Sequence, residues 1–367
     1  MKKAEKITID KALDLLAAPR RLSADEWQTI LLSFDGEDRK VLSRAARDVA
    51  FRLFNGGVYV RALIEISSFC RNNCFYCGLR CGNTLAARYR LSKDEILACC
   101  ERAAAVGFNT FVLQGGEDPV QNDEWISDVV SAIKERFPCK AVTLSVGERT
   151  AEGYTMLRAA GADRYLLRHE TANAGHYSLL HPKGMSLENR KQCLFRLKEL
   201  GYQVGSGMMI GSPRQTIGHL AEDLALLEEL QPHMIGIGPF IPAKGTPLEG
   251  EPQGSAELTL LIISLLRLRF PNALIPATTA LATLLPDGTE QGILAGANVV
   301  MPNVTPLEAR EKYTIYNNKK ITDSEAADQI NVLDDRLAKI GYHIDFSRGD
   351  YKTENLCQPL RPFGHLP

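Results

Sequence analysis

Eight short runs of apolar and β-branched residues recur along this chain, each followed by a stretch with helical periodicity. They fall at 62–67, 110–114, 141–146, 164–169, 203–210, 234–240, 273–277 and 298–302. Strands that alternate with helices pair in parallel, because a crossover through a helix returns the chain to the sheet in its original direction. Eight such units close on themselves, so the expected fold class is α/β, a TIM-type (β/α)8 barrel. Helix ends support the alternation. Ser92-Lys93-Asp94-Glu95 reads as a capping box, Ser186 and Ser255 as N-caps, and Gly161 and Gly201 as helix stops. Residues 8–56 read as helices ahead of the barrel. The expected division is an N-terminal helical extension (1–57), a barrel (58–345) ending in a helix over 323–341, and a tail (346–367) that is polar and loosely held after Ser347.

Catalytic residues of such barrels sit at the C-terminal ends of the strands and in the loops that follow. Directly after the first run comes Cys70-Arg71-Asn72-Asn73-Cys74-Phe75-Tyr76-Cys77. The spacing C-x3-C-x2-C lets three thiolates reach one inorganic cluster. A [4Fe–4S] cube has four irons, so three thiolates leave one iron open to a small molecule. Two plainer readings compete. Structural zinc ordinarily takes four ligands, often from two separated knuckles. Cys81 could complete a four-cysteine electron-transfer cluster, although the bacterial ferredoxin run is spaced differently and ends in Cys-Pro, whereas Cys81 precedes Gly82. Nine cysteines, an odd number with three clustered, do not form a disulfide framework and point to a reducing cytoplasm. Formal charge is −1 with both signs interspersed, which gives no attraction to nucleic acid or an anionic membrane. The first residues lack an apolar signal core, and the greasiest stretch, Leu258 to Leu266, is too short to span a bilayer.

The cysteine spacing, with an aromatic residue before the last cysteine, resembles the signature of the radical S-adenosylmethionine (radical SAM) enzymes. That resemblance implies two cofactors, a [4Fe–4S] cluster on Cys70, Cys74 and Cys77, and SAM on the open iron. It also directs attention to two strand ends. Gln114-Gly115-Gly116-Glu117-Asp118 matches a Gly-Gly-Glu run that contacts SAM, and its glycines let the backbone approach a ligand closely. Arg168-His169-Glu170 closes the fourth run, and a charged pair at a barrel mouth is costly unless it meets a ligand or its own partner. Arg168 and Glu170 could serve opposite ends of the SAM amino-acid moiety, or simply pair with one another. Arg190 is a further candidate for its carboxylate, and His169 reads as a hydrogen-bonded supporting residue.

Further segments, 112–118, 164–173, 236–242, 275–280 and 296–303, are similar in order to HydE, the radical SAM maturase family of [FeFe]-hydrogenase. The similarity runs from about residue 60 to about residue 316. It implies that Tyr76 packs near the adenine, and that Gly115, Gly116, Glu117, Ser145, Arg168, Glu170 and Arg190 surround SAM. Gln114, Thr143, Thr278, Thr279 and Tyr316 match positions lining the family's internal cavity. That cavity accepts an organometallic substrate, an iron complex bearing CO, cyanide and a cysteine-derived ligand. Implied partners are the other hydrogenase maturases and a reductant protein such as ferredoxin or flavodoxin.

Two departures stand out. Some HydE members carry a second cluster on three C-terminal cysteines, but Cys357 stands alone in that region, and Gly115 replaces a serine found in some members. Cys99, Cys100, Cys139 and Cys193 read as buried, inert thiols. The rival readings are a methylornithine synthase-like mutase acting on lysine, a biotin synthase and a non-catalytic iron–sulfur scaffold. An amino-acid substrate should demand charged partners inside the barrel beyond those used by SAM, and the cavity residues read instead as Thr and Gln. Biotin synthase needs cysteines on strands three to five, which this chain lacks there. A scaffold has no use for residues that bind a zwitterion.

Overall fold

The computed structural model describes residues 6–320 and 325–352. Among them are eleven strands: β1 (Gly57–Val60), β2 (Ala62–Ser67), β3 (Thr110–Gly115), β4 (Ala141–Ser145), β5 (Arg164–Leu166), β6 (Gln203–Ser206), β7 (Met209–Ile210), β8 (Met234–Ile235), β9 (Gly238–Pro239), β10 (Val299–Val300) and β11 (His343–Asp345). Six of them form one parallel sheet in the order β2-β3-β4-β5-β6-β8. Single parallel bridges complete the circle, from Met234 to Leu274, from Pro276 to Val299 and from Asn303 back to Leu63. Leu63 N–H donates to the Pro302 carbonyl at 2.9 Å and Val304 N–H to the Leu63 carbonyl at 2.9 Å, so the last stave meets the first through ordinary sheet bonds. The result is an eight-staved (β/α)8 barrel.

Four details differ from the sequence expectation. The run 203–210 breaks between β6 and β7, where Gly207 lies so close to the next stave that a Cβ would fall 2.0 Å from the Gly236 carbonyl oxygen. The run 234–240 breaks opposite it, and both resume as the parallel pair β7–β9. The run 273–277 gives isolated bridges and no ladder; Pro276 has no N–H to donate. Finally, β1 and β11 were not expected. β1 continues into β2 and pairs in parallel with both β10 and β11.

Strand alternation sorts the side chains. Ile64, Ile66, Phe111, Leu113, Val142 and Leu144 belong to the main apolar core beneath the surrounding helices. Leu63 and Val112 are buried but lie outside that core, and Glu65, Gln114, Thr143 and Ser145 share their parity on the inner face. The expected caps are present: Ser92 and Glu95 form a reciprocal capping box, Ser186 accepts from Asn189 N–H, and Ser255 accepts from Leu258 N–H. Helices Ile9–Ala17, Ala24–Ser33 and Gly36–Phe54 precede the barrel and pack on helices Ile217–Leu230 and Ala256–Arg269. The closing helix is shorter than expected, Ala326–Ala338.

The tail is not loose where it begins. Arg164, fully buried, donates to Asp350 Oδ1 at 2.6 Å and to the Arg348 carbonyl at 2.7 Å. Gln203 donates to the same carboxylate at 3.0 Å, and Arg348 pairs with Asp163 at 3.1 Å. The segment around 348–351 therefore closes the end of the barrel where its strands start. Cys357 lies outside the described residues.

Burial alone would raise the Asp350 carboxyl, but hydrogen bonds and charge from Arg164, with Arg348 and Gln203, hold it down at about 2. An unfolded Asp titrates near 3.9. The tie therefore contributes its full stability above about pH 5 and loses it as pH falls through about 2. Asp350→Asn should cost about 1–2 kcal/mol at pH 7, once solvent screening of the part-exposed carboxylate is allowed for. In denaturant titrations the gap to the wild type should close toward pH 2; a gap independent of pH would assign the cost to packing.

Candidate active site

The cysteine loop leaves β2 at Ser67 with no regular structure of its own, so its order must come from side chains. Arg88 supplies much of it. Its guanidinium donates to the carbonyls of Ser68, Leu79 (2.8 Å), Arg80 (2.7 Å) and Asn83 (3.2 Å). Phe75 N–H donates to the Leu180 carbonyl at 2.9 Å, and Cys74 Sγ lies 3.6 Å from Met185 Sδ, so segment 180–185 flanks the loop. At the loop's root, Ser67 donates to Asp118 Oδ2 at 2.6 Å and Arg90 grips both Asp118 oxygens at 2.6 and 2.9 Å. That carboxylate locks the first strand end to the second.

Cys70, Cys74 and Cys77 are free thiols on this loop. Burial pushes all three up, Cys77 to about 12, and the charges of the other two raise Cys74 further. Arg190 acts the other way on Cys74, as Arg88 does on Cys77. Three half-buried thiols, of which Cys74 and Cys77 also feel the charge of a neighbouring cysteine, need a strong local positive charge to become thiolates, which is what bound iron provides. Among the described residues, no group of three or more His, Cys, Asp or Glu closes on one point as the ligands of a single ion do. Of the remaining cysteines, Cys99, Cys100 and Cys193 are buried as expected, but Cys139 is exposed, as is Cys81.

Gly116 packs directly on the loop: a Cβ there would lie 2.5 Å from Cys70 Cβ and 3.0 Å from its Sγ. Gly115 has more room, its nearest side-chain neighbour being Ile66 Cγ1 at 3.3 Å. The Glu117 carboxylate is taken up inside the protein. It accepts from Arg71 Nε at 3.0 Å and from Glu148 N–H at 2.8 Å. Arg190 is likewise committed, with Nε on Glu148 Oε1 at 2.5 Å and Nη1 on the Arg168 carbonyl at 2.6 Å. Tyr76 is packed edge-on to His181, its hydroxyl 3.4 Å from Nε2, and burial lowers that imidazole to about 3 and keeps it neutral.

Arg168 and Glu170 behave differently. Their Nη2 and Oε2 are 3.0 Å apart, yet neither atom makes an aligned hydrogen bond, and Arg168 Nε is also buried without a partner. Glu170 holds φ at +64°, a left-handed conformation that strains a side chain of this size. Strain beside buried donors and acceptors without hydrogen bonds makes Arg168 and Glu170 candidate ligand-binding residues. His169 is buried, with Nδ1 2.9 Å from Ser206 Oγ and Nε2 3.5 Å from Asp223 Oδ1.

Register brings the inner residues together. Glu65 is the cross-strand partner of Gln114, which is the partner of Ser145, so the three form one layer across β2, β3 and β4. Thr143 lies on the same inner face, and its hydroxyl and that of Thr278 are buried without a partner. Thr279 opens the helix Thr279–Leu284. Burial raises Tyr316 to about 12; its phenol also feels Thr283, the charge of Glu65 and that of Arg168. Three residues here were not anticipated. Lys319 reaches Glu65 Oε1 at 2.5 Å, with Glu65 completely buried, and Gln114 Nε2 donates to the Tyr313 hydroxyl at 3.4 Å. The inner face of the barrel is therefore not neutral, as its Thr and Gln residues suggested. Glu65 sits in an apolar run, and Lys319 and Tyr313 are more than 240 residues further along; only the register joins them.

With this geometry in hand, comparison with known proteins is informative. The radical SAM superfamily model matches residues 64–227. Over 280 residues the chain is 47% identical to the [FeFe] hydrogenase maturase subunit HydE of Thermotoga maritima, covering 76% of this chain and 80% of that protein. It is 31% identical over 300 residues to the 3-methylornithine synthase of Methanosarcina acetivorans, covering 80% and 83% respectively. The crystal structure of methylornithine synthase (PylB) superposes with a TM-score of 0.77 at 28% identity, over 91% of this chain and 97% of that one. HydG, a maturase of the [FeFe]-hydrogenase, shares the fold with a TM-score of 0.79 at 21% identity, over 94% and 78%.

The two glycines should separate in a test of metal content. Gly116→Ala forces a methyl into Cys70 and should reduce the iron and sulfide retained after anaerobic reconstitution by severalfold, while Gly115→Ala should stay near the wild type. Equal losses in both would mean that contact with Cys70 is not what matters.

Proposed function

Because the chain belongs to the radical SAM superfamily and, within it, to the HydE hydrogenase maturases, we propose that it acts on a cysteine-ligated Fe(CO)(CN) precursor during assembly of the [FeFe]-hydrogenase active-site cluster. The observation that carries this reading is the 47% identity to HydE of Thermotoga maritima across 280 residues. Enzymes of this superfamily use a [4Fe–4S] cluster and SAM, which together supply reductive cleavage of the sulfonium and a 5′-deoxyadenosyl radical.

In this reading Cys70, Cys74 and Cys77 hold the cluster. Gly115 and Gly116 admit SAM by lacking side chains. Arg168 and Glu170, with atoms still unbonded, take opposite charges of its amino-acid moiety. Glu117 and Arg190, braced by Arg71 and Glu148, complete the surround together with Ser145 and Tyr76. Gln114, Thr143, Thr278, Thr279 and Tyr316 present hydrogen-bonding groups to the precursor, and the closed stave circle keeps water from a radical that abstracts from any nearby C–H. The precursor comes from another maturase, the electron from a ferredoxin or flavodoxin, and the setting is the cytoplasm.

One observation favours a second reading, a mutase acting on lysine: the Glu65–Lys319 pair inside the barrel gives an amino-acid substrate a charged neighbour. The two readings separate by 5′-deoxyadenosine formation in anaerobically reconstituted, reduced protein. With SAM and the Fe–CO–CN–cysteine complex, turnover should exceed that with SAM alone by tenfold or more, and Cys74→Ala should abolish it. Stimulation by lysine and not by the complex would move the chain to the mutase reading. Failure to bind SAM would favour a scaffold.

A further inference from the structure

Glu170 owes its left-handed backbone to a particular turn. Thr171 N–H donates to the His169 carbonyl at 2.8 Å, with Glu170 between them at φ +64°. That is a γ-turn of the rarer hand, strained for any residue with a side chain and kept only where the surroundings impose it. The neighbouring stave supplies part of the constraint. Glu170 N–H donates to the Gly207 carbonyl at 3.1 Å, and the Glu170 carbonyl accepts from Met209 N–H at 3.4 Å.

The flanks of the turn are both held by one carboxylate. Asp223 lies on the helix Ile217–Leu230, completely buried on a face it shares with Leu220, Leu224 and Leu227. A lone acid in such a place is costly unless it meets specific partners. Its Oδ1 accepts from Ala172 N–H, after the turn, and lies 3.5 Å from Nε2 of His169, before it. His169 is completely buried as well, and Nε2 has no other partner, nor has Asp223 Oδ2.

The hydrogen-bond inventory fixes how these two groups meet. The Ser206 hydroxyl has one proton and gives it to the Leu167 carbonyl at 3.1 Å. Toward His169 it can therefore only accept, so Nδ1, at 2.9 Å, is the donor. A neutral imidazole would then turn the lone pair of Nε2 onto the Asp223 oxygen, two acceptors face to face and out of reach of solvent. A second proton between Nε2 and Oδ1 removes the conflict and leaves the buried pair neutral overall. His176, another imidazole close to Asp223, does not take that role. Its Nδ1 faces the Thr171 hydroxyl and its Nε2 the Pro213 carbonyl, each at 3.1 Å, and burial disfavours its charged form.

We propose that Asp223 and His169 are positioning residues: one buried, proton-bridged pair clasps both sides of the Glu170 turn and so aims the unbonded Arg168 and Glu170 atoms at the amino-acid moiety of SAM. The proposal rests on the reading of Arg168 and Glu170 as SAM-binding residues. Asp223 and His169 act through the backbone of the turn, which turns a strained loop into a fixed part of the site.

The probes are SAM and 5′-methylthioadenosine, which keeps the adenosine and lacks the amino-acid moiety. Affinity for each would be measured on full-length, anaerobically reconstituted wild type, Asp223→Ala, His169→Leu, His169→Gln and Glu170→Gln. Asp350→Asn serves as a variant weakened at the opposite end of the barrel, and should change neither affinity. Asp223→Ala and His169→Leu should bind SAM at least tenfold more weakly, with iron content matched and 5′-methylthioadenosine affinity within twofold of the wild type. His169→Gln, whose amide can donate to Asp223, should recover SAM binding to within threefold. SAM affinities within twofold of the wild type in both Asp223→Ala and His169→Leu would overturn the proposal. So would equal losses for the two probes, which would assign the pair to holding the fold. If Asp223→Ala does not fold, His169→Leu against His169→Gln decides: a glutamine no better than leucine overturns the proposal. A Glu170→Gln variant that binds SAM as the wild type does would overturn the reading of Glu170 and this proposal with it.

Discussion

Closing a parallel sheet on itself removes its edges and sends every second side chain into a shared interior. Everything else about this molecule follows from that constraint. On the outer face the answer is ordinary: Ile64, Phe111, Leu113, Val142 and Leu144 meet the helices and supply the apolar core. The inner face is polar at the strand ends, and the polar atoms are not all paired. Thr143 Oγ1, Thr278 Oγ1, Glu65 Oε2 and Arg168 Nε are buried without hydrogen bonds. Each such group costs on the order of 1–3 kcal/mol, so the arrangement makes no sense as a stabilising core. Under the function proposed above, it is a surface whose partners arrive with the ligands.

The same economy shapes the cysteine loop. A loop without helix or strand must satisfy its carbonyls some other way, and Arg88 meets four of them with one guanidinium. That charge also lies close enough to favour ionisation of Cys77. Asp118 joins the loop root to the neighbouring strand end through Ser67 and Arg90, so the cysteines and the Gly-Gly turn are held in one rigid corner. Structural and electrostatic tasks are thus given to the same side chains.

How much of this could be read in advance depended on locality. The cysteine triplet, the Ser92–Glu95 capping box and the longer β-rich runs are written within a few consecutive residues, and the (β/α)8 barrel with its cysteine loop follows from them. The break at Gly207 and the missing ladder at Pro276 arise from how closely neighbouring staves approach, which no single run reveals. Glu65 is the instructive miss. A lone acid in Leu63-Ile64-Glu65-Ile66 looks like an interruption, and it acquires meaning only when the register places it beside Gln114 and Lys319 closes over it. The polar tail looked loose by composition; Arg164, buried where the fifth strand begins, has Asp163 beside it in sequence, but that carboxylate is taken by Lys134 and Arg348, and only the fold shows that the tail supplies Asp350 instead.

That last tie has a bearing on how the chain becomes a barrel. Arg164 is made long before Asp350, its counter-charge. Contacts separated by 186 residues are slow to form, because a long loop must be ordered before the contact repays it. During synthesis the barrel staves can pair, yet the guanidinium at their start must stay hydrated until the segment around Asp350 has left the ribosome. The molecule therefore makes its cysteine loop well before the segment around 350 that seals the opposite end of the barrel. A chain truncated before residue 348 would carry every cysteine of the loop and still leave a buried charge with nothing to meet it.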